Sequence, residues 1–261
     1  MISLTTAEIN SWIVAFFFPL TRILALLAAA PPFNNAALPL RVRLMLGLAI
    51  AIAITPALPA VPPLEPASGI GLWILALQLL IGLAMGFSVR LIFSAIDMAG
   101  NMIATQMGLG FATLYDPQNT GQTPVVSEFM GLLALLIFMA INGHLMLIAT
   151  LTHSFTVIPI SATAPGSSTW LNLANSGVVI FSSGLLLALP ILVALLITNV
   201  ALGVLSRAAP QLNLFAVGFP LTLALGFAML IISLSYLGAP LQQLFELGLQ
   251  SMLGNFVSAG R

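Results

Sequence analysis

From Gly69 to Asp116 the chain contains no proline, and from Gly69 to Val89 it contains no charged residue. Nothing in this run interrupts a helix, and its apolar side chains exclude a water-exposed loop. Read as one helix from Gly69 to Gln106, it is about 55 Å long, against roughly 30 Å for the hydrocarbon core of a bilayer. It must tilt, bend near Gly82, Gly86 or Gly100, or project beyond the membrane. Gly82 and Gly86 form a GxxxG pair, which permits close approach of a second helix. The second half carries a polar stripe, Arg90, Ser94, Asp97, Asn101 and Thr105, whose spacing puts all five on one helical face. A glycine-rich stretch follows from Gln106 to Pro117, with Met107, Gly108, Gly110 and Phe111 at its start.

The rest of the chain shares this character. Hydrophobic residues make up 60% of the 261 residues, charged residues 5%, and the mean hydropathy is +1.16. A soluble domain has about 25% charged residues, so this composition cannot cover a globule with a water-facing surface. The expected class is an all-α, polytopic membrane protein. The formal net charge is zero and every basic residue is arginine, so no basic patch invites nucleic acid. Cysteine is absent, which excludes disulfides, thiolate metal sites and a cysteine nucleophile. His144 and His153 do not have the i, i+4 spacing of a helical metal pair. The first residues carry no positive n-region, so no cleaved signal peptide is expected.

About six hydrophobic runs are expected to form helices: Trp12–Ala30, Leu44–Ala57, Gly69–Gln106, Val125–Leu151, Gly177–Leu205 and Leu214–Leu237. The first contains Pro19 and Arg22, and an arginine near the middle of a span is expected to face inward and find a partner. Asn34–Arg43 reads as a connection, and the second run decays into a proline-rich connector around Glu65. Thr152–Ser176 reads as a polar loop. The fifth run is expected to kink or open at Pro190, and Ser206–Asn213 to form a tight connector. Pro240–Arg261 reads as a separate amphipathic tail. With the N-terminus outside, Arg41, Arg43 and Arg207 fall on the cytoplasmic side, as the positive-inside rule favours.

Candidate chemistry is sparse. Asp97, Asp116 and Glu128 are carboxylates that could relay protons. The competing reading of Asp97 is pairing with Arg90 or hydrogen bonding to Asn101 and Thr105. No GxSxG serine or Walker loop is present, and Gly108–Gly110 lacks the strand–helix setting of a nucleotide fingerprint. Enzyme activity, cofactors and metals are not expected. A secondary transporter with a cavity at Arg22, Arg90 and Asp97 is the alternative, although the halves show no repeat of the kind such folds carry. Arg22, Arg90, Asp97 and Asn101 are expected to form an intramembrane polar seam, the stripe from Arg90 to Thr105 locking the long helix into its neighbours.

Two stretches carry a family resemblance. Gln106-Met107-Gly108-Leu109-Gly110-Phe111-Ala112 with Asp116-Pro117 is one. The other is Gly203-Val204-Leu205-Ser206-Arg207-Ala208-Ala209-Pro210-Gln211-Leu212-Asn213-Leu214-Phe215 with Gly218-Phe219-Pro220. Both resemble the hallmarks of the FliR/SctT family of type III export-gate subunits, and the likeness covers essentially the whole chain. It implies a FliP-like part over 1–165, then a FliQ-like hairpin with an amphipathic tail over 175–261. It also implies a closed export pore built with FliP and FliQ in the bacterial inner membrane, within the flagellar basal body and raised toward the periplasm. FlhB and FlhA would be associated, and unfolded flagellar subunits would pass through. Met107, Gly108, Gly110 and Phe111 would belong to a loop that plugs the pore. Arg207, Pro210, Gln211 and Asn213 would form a cytoplasmic hairpin tip that contacts partners.

Overall fold

The computed structural model describes residues 6–35, 37–59, 65–110, 124–209 and 214–257, with the side chains of 6–13 and 214–216 excepted. The elements are α1 (Thr6–Ala29), α2 (Leu40–Ile54) with a short 3-10 turn (Thr55–Ala57), α3 (Gly69–Gln106), α4 (Val125–Ala140), α5 (Gly143–Val157), α6 (Ser167–Asn175), α7 (Val178–Ala208) and α8 (Leu214–Val257). Among the described residues there is no strand, and the chain is all-α and polytopic. Among the described residues four helical stretches are long and apolar enough to cross a membrane, or five if α4 and α5 count as one bent span.

The long third run is one 38-residue helix, as its freedom from proline predicts. Elsewhere the boundaries differ from the sequence reading. Arg41 and Arg43 lie inside α2, not in the connection before it. The run Val125–Leu151 is not one helix: α4 and α5 are separated by a corner at Ile141 and Asn142. Asn142 makes that corner with φ 57° and ψ 30°, a left-handed conformation that asparagine tolerates better than other non-glycine residues. Thr152–Ser176 is helical at both ends, closing α5 and forming α6. Pro190 does not break α7. The amphipathic tail is not separate: α8 runs 44 residues through Pro220 and Pro240. Proline removes one N–H, but ending a helix in apolar surroundings would leave more backbone groups unpaired than continuing it does.

Two compact units result, each drawn from separate stretches of chain. The first holds residues 1–91, 142–176 and 246–261, and the second holds 92–141 and 177–245. In the first, α1 and α3 lie side by side in the same direction. A Cβ on Gly82 would strike the Arg22 carbonyl, and one on Gly86 would lie 2.6 Å from the Ala29 Cβ. The GxxxG pair is therefore a helix crossing, with Cβ-free surface where the backbones meet. In the second, the rings of Phe93, Phe138 and Phe245 interlock with centroids 5.1–6.0 Å apart; Phe138 meets both partners edge-to-face, the geometry that aromatic quadrupoles prefer, and Phe93 and Phe245 are tilted by 49°. Gly100 lets α3 meet α4 at Ser127, and Gly184 lets α7 meet α3 at Ala95 and Met98. Large apolar side chains remain exposed on the long helices, among them Met45, Leu136, Leu186 and Ile231. Such a surface suits lipid or other subunits.

Candidate functional site

In the second unit, α3 ends in a defined turn. The Gly108 amide donates to the Thr105 carbonyl and the Leu109 amide to the Ala104 carbonyl, both at 3.0 Å. This is the paired bonding of a Schellman cap, which needs a left-handed residue after the helix. Gly108 supplies it with φ 84°. The turn seats Met107, which is fully buried. Its thioether lies in the notch left by Gly226 of α8, where a Cβ would come within 2.5–2.8 Å of the Met107 side chain. The Thr222 hydroxyl lies 3.4 Å from the Met107 carbonyl but donates at 3.0 Å to Phe219. Gly108 and Met107 thus fix the direction in which the chain leaves α3. Gly110 is exposed, and a Cβ added there would meet nothing within 4 Å. Phe111 and the rest of the proposed plug, to Thr123, lie outside the described residues.

Beside this turn, still within the second unit, runs an open groove of about 700 Å³. Ser94, Asp97, Asn101, Thr105 and Gln106 give it a polar wall, and Met98, Met102, Leu192 and Leu196 give it an apolar one. Four of the five stripe residues, Ser94, Asp97, Asn101 and Thr105, are therefore presented to one groove, and Arg90 is not. Backbone carbonyls take the stripe's own hydrogen bonds. The Asn101 side-chain amide and the Ser127 hydroxyl both donate to the Asp97 carbonyl, at 2.9 and 3.0 Å, and Thr105 donates to the Asn101 carbonyl at 2.8 Å. Among the described residues no hydrogen bond or ion pair reaches the Asp97 carboxylate. The groove contains neither Arg90 nor Arg22.

Arg22 belongs to the first unit and is wholly buried. Its Nε donates to Gln78 Oε1 at 2.8 Å, one terminal nitrogen to the Ser154 carbonyl and hydroxyl at 3.1 Å, and the other to the Ile158 carbonyl at 2.9 Å. The guanidinium carbon stands 4.2 Å from the centroid of the Phe155 ring. Ser154 and Ile158 lie at the C-terminal end of α5, where unpaired carbonyls and the helix dipole concentrate negative potential. Among the described residues Arg22 meets no carboxylate. One cation thus ties α1, α3 and the end of α5 together through neutral acceptors and a π face. Arg90 is exposed and lines a different groove of the same unit.

Arg207 is exposed in the last turn of α7, where a cation complements the helix C-terminus. Pro210, Gln211 and Asn213 lie outside the described residues. No group of three or more His, Cys, Asp or Glu that could hold a metal occurs among the described residues. The structure therefore distributes the sequence-selected polar residues. Arg22 is in a closed internal knot, Arg90 in one groove, and Asp97 with Asn101 in another. Gln78, Ser154 and Phe155 complete the Arg22 knot and were not singled out from sequence. Gln78 carried a signal, as the one amide in the apolar first half of α3. Ser154 and Phe155 carried none, because they lie more than 130 residues from Arg22.

The chain matches the family described as bacterial export proteins, family 1, over residues 13–248. It is 44% identical to the flagellar biosynthetic protein FliR of Pectobacterium carotovorum subsp. carotovorum over 227 residues, covering 87% of this chain and 86% of the relative. The FliR of Escherichia coli (strain K12) is likewise 44% identical, over 232 residues and 88% of both chains. The FliR of Bacillus subtilis (strain 168) is 29% identical over 241 residues, 91% of this chain and 93% of the relative. A match that includes α2 to α7 whole and most of α1 and α8, with relatives aligned nearly end to end, makes this chain a member of the bacterial export proteins, family 1.

Proposed function

We propose that this chain is a non-enzymatic, pore-forming subunit of the flagellar type III export gate. It assembles with FliP and FliQ in the bacterial inner membrane, raised toward the periplasm within the basal body, and works with FlhB and FlhA. Unfolded flagellar subunits pass through the gate. The observation that carries this reading is the near end-to-end similarity to proteins named flagellar biosynthetic protein FliR. Residues 1–165 act as a FliP-like part and 175–261 as a FliQ-like hairpin whose tip holds Arg207, Pro210, Gln211 and Asn213. The extensive exposed apolar surface of α2, α7 and α8 fits a subunit that buries its flanks against others.

In this reading the segment after α3 seals the pore. The Gly108 turn and the buried Met107 anchor its base and fix the direction in which the chain leaves α3. Asp97, Asn101 and the rest of the groove wall form a polar seam for a neighbouring helix. Co-expression with FliP and FliQ tests assembly: one stable complex after mild solubilisation is the expected result, and a chain that purifies alone beside its co-expressed partners refutes the proposal. Deleting Gly108–Thr113 tests the seal. Cells carrying that deletion should admit small solutes, and unchanged permeability in cells that still assemble the complex refutes the plug.

A further inference from the structure

In the first unit, the first half of α3 carries a row of exposed side chains at a fixed spacing. Trp73, Ala76, Leu80, Leu83, Phe87 and Arg90 follow one another at intervals of 3, 4, 3, 4 and 3, and all are exposed. At about 100° per residue they stay within one stripe of the helix surface. Other faces are taken: Gln78 and Ser88 are buried, and Gly82 and Gly86 meet α1. Alternating steps of three and four residues are the spacing at which a second helix fits its side chains between those of the first. From Trp73 to Arg90 the row extends about 26 Å, nearly five helical turns.

The Arg90 half of the row is one wall of a groove of about 450 Å³. Leu80, Leu83, Phe87 and Arg90 stand on the α3 side, and Trp170 and Leu173, one helical turn apart, stand on the α6 side. Ala29 and Ala84 complete the lining. Small side chains at that position let the axis of a further helix come close.

Arg90 stands at the end of this apolar groove, and among the described residues no hydrogen bond or ion pair reaches its guanidinium. A wholly apolar occupant would take water from Arg90 and leave an unpaired, desolvated cation, which is strongly unfavourable. A wholly polar occupant would leave Leu80, Leu83, Phe87 and Trp170 without apolar contact. The occupant that satisfies both is apolar along its length and anionic at the level of Arg90, and the spacing of the row suits a helix. We propose that the groove seats an apolar helix of a neighbouring subunit that carries one Asp or Glu, whose carboxylate takes the bidentate face of Arg90. The apolar row supplies the contact area, and the ion pair fixes the register at which the helix settles. The proposal rests on the reading of this chain as a subunit of an assembly and gives the chemistry of one contact within it.

The chain is co-expressed with FliP and FliQ, with p-benzoylphenylalanine in place of Leu83, and irradiated in the assembled state. The expected product is an adduct with an apolar helix of another subunit. That helix should bear an Asp or Glu about two turns from the adduct, the separation of Leu83 and Arg90. Arg90→Glu should lower the amount of chain recovered in the complex by about tenfold or more, because like charges would then face each other at a desolvated position. Changing the identified partner carboxylate to Arg should restore most of the recovery in the Arg90→Glu background and reduce it in the unsubstituted one. Arg90 is exposed, so the variant is expected to fold, and an unchanged circular dichroism spectrum checks this. Adducts with lipid alone, with a second copy of this chain, or with a helix lacking a carboxylate at that level overturn the proposal. So does full recovery of Arg90→Glu, and so does a charge exchange that restores nothing. In each of those cases the complex still forms with the unsubstituted chain, and the export-gate reading stands. A chain that purifies alone beside its co-expressed partners overturns that reading and this proposal together.

Discussion

Replacing Arg22 with methionine separates a structural knot from a conduction site. Methionine keeps most of the side-chain volume and removes the guanidinium. The Ser154 carbonyl keeps a partner, because the Ile158 amide already donates to it at 2.8 Å. The Ser154 hydroxyl keeps its bond to the Leu151 carbonyl at 2.6 Å. Two acceptors are orphaned, Gln78 Oε1 and the Ile158 carbonyl, and each buried, unsatisfied group costs about 1–3 kcal/mol. The loss is therefore about 2–6 kcal/mol, offset in part because the variant no longer desolvates a charge. Adding Gln78→Leu removes one of the two orphans. The double variant should therefore recover about 1–3 kcal/mol relative to Arg22→Met alone. Reversible unfolding in mixed detergent micelles, followed by tryptophan fluorescence, reads both differences. If Gln78→Leu adds further loss on top of Arg22→Met, the Arg22–Gln78 bond is not what holds this site, and the reasoning is wrong.

Further outcomes follow from the same geometry. Gly108→Ala places a Cβ at φ 84° and should cost about 1–2 kcal/mol, seen as faster proteolysis of the segment after α3 with the helical signal intact. Asn142→Val puts a β-branched residue at φ 57° and should destabilise the α4–α5 corner by about 1–3 kcal/mol, whereas Asn142→Gly should be close to neutral; both are read by thermal unfolding in detergent. Phe245→Ala opens a cavity among Phe93 and Phe138 and should cost about 3–5 kcal/mol, visible as reduced accumulation in the membrane. Asp97→Asn should leave both stability and swimming motility unchanged, because it is the backbone carbonyl of Asp97 that Asn101 and Ser127 use; a stable but non-motile variant would restore a proton-relay role.

Much of the fold was legible because apolar runs in a lipid-soluble chain have few alternatives to helix. The run from Gly69 to Gln106 has no breaker, and it forms one helix with Ser94, Asp97, Asn101 and Thr105 along one groove. Gly82 and Gly86 announced a close crossing, though not that α1 would supply the partner. Proline was the misleading signal. Pro240 reads as the start of a separate tail, as it would be in water where freed carbonyls find solvent, yet α8 runs through it. The corner at Asn142 was hidden for the opposite reason, since a single left-handed residue leaves the hydropathy of its run unchanged.

The sequence by itself determined the class of molecule, the positions of the long helices and the family motifs, because hydrophobic content, breaker spacing and local turn chemistry act over a few residues. Tertiary structure alone decided what each polar residue does. Arg22, Arg90 and Asp97 look alike in the sequence, as rare charges in an apolar chain. Their fates diverge because partners such as Gln78 and Ser154 stand 56 and 132 residues from Arg22, and only packing brings them together. Burial with acceptors makes Arg22 a strut. Exposure at the head of an apolar trough, or along a polar wall, leaves Arg90 and Asp97 free to meet something outside the chain.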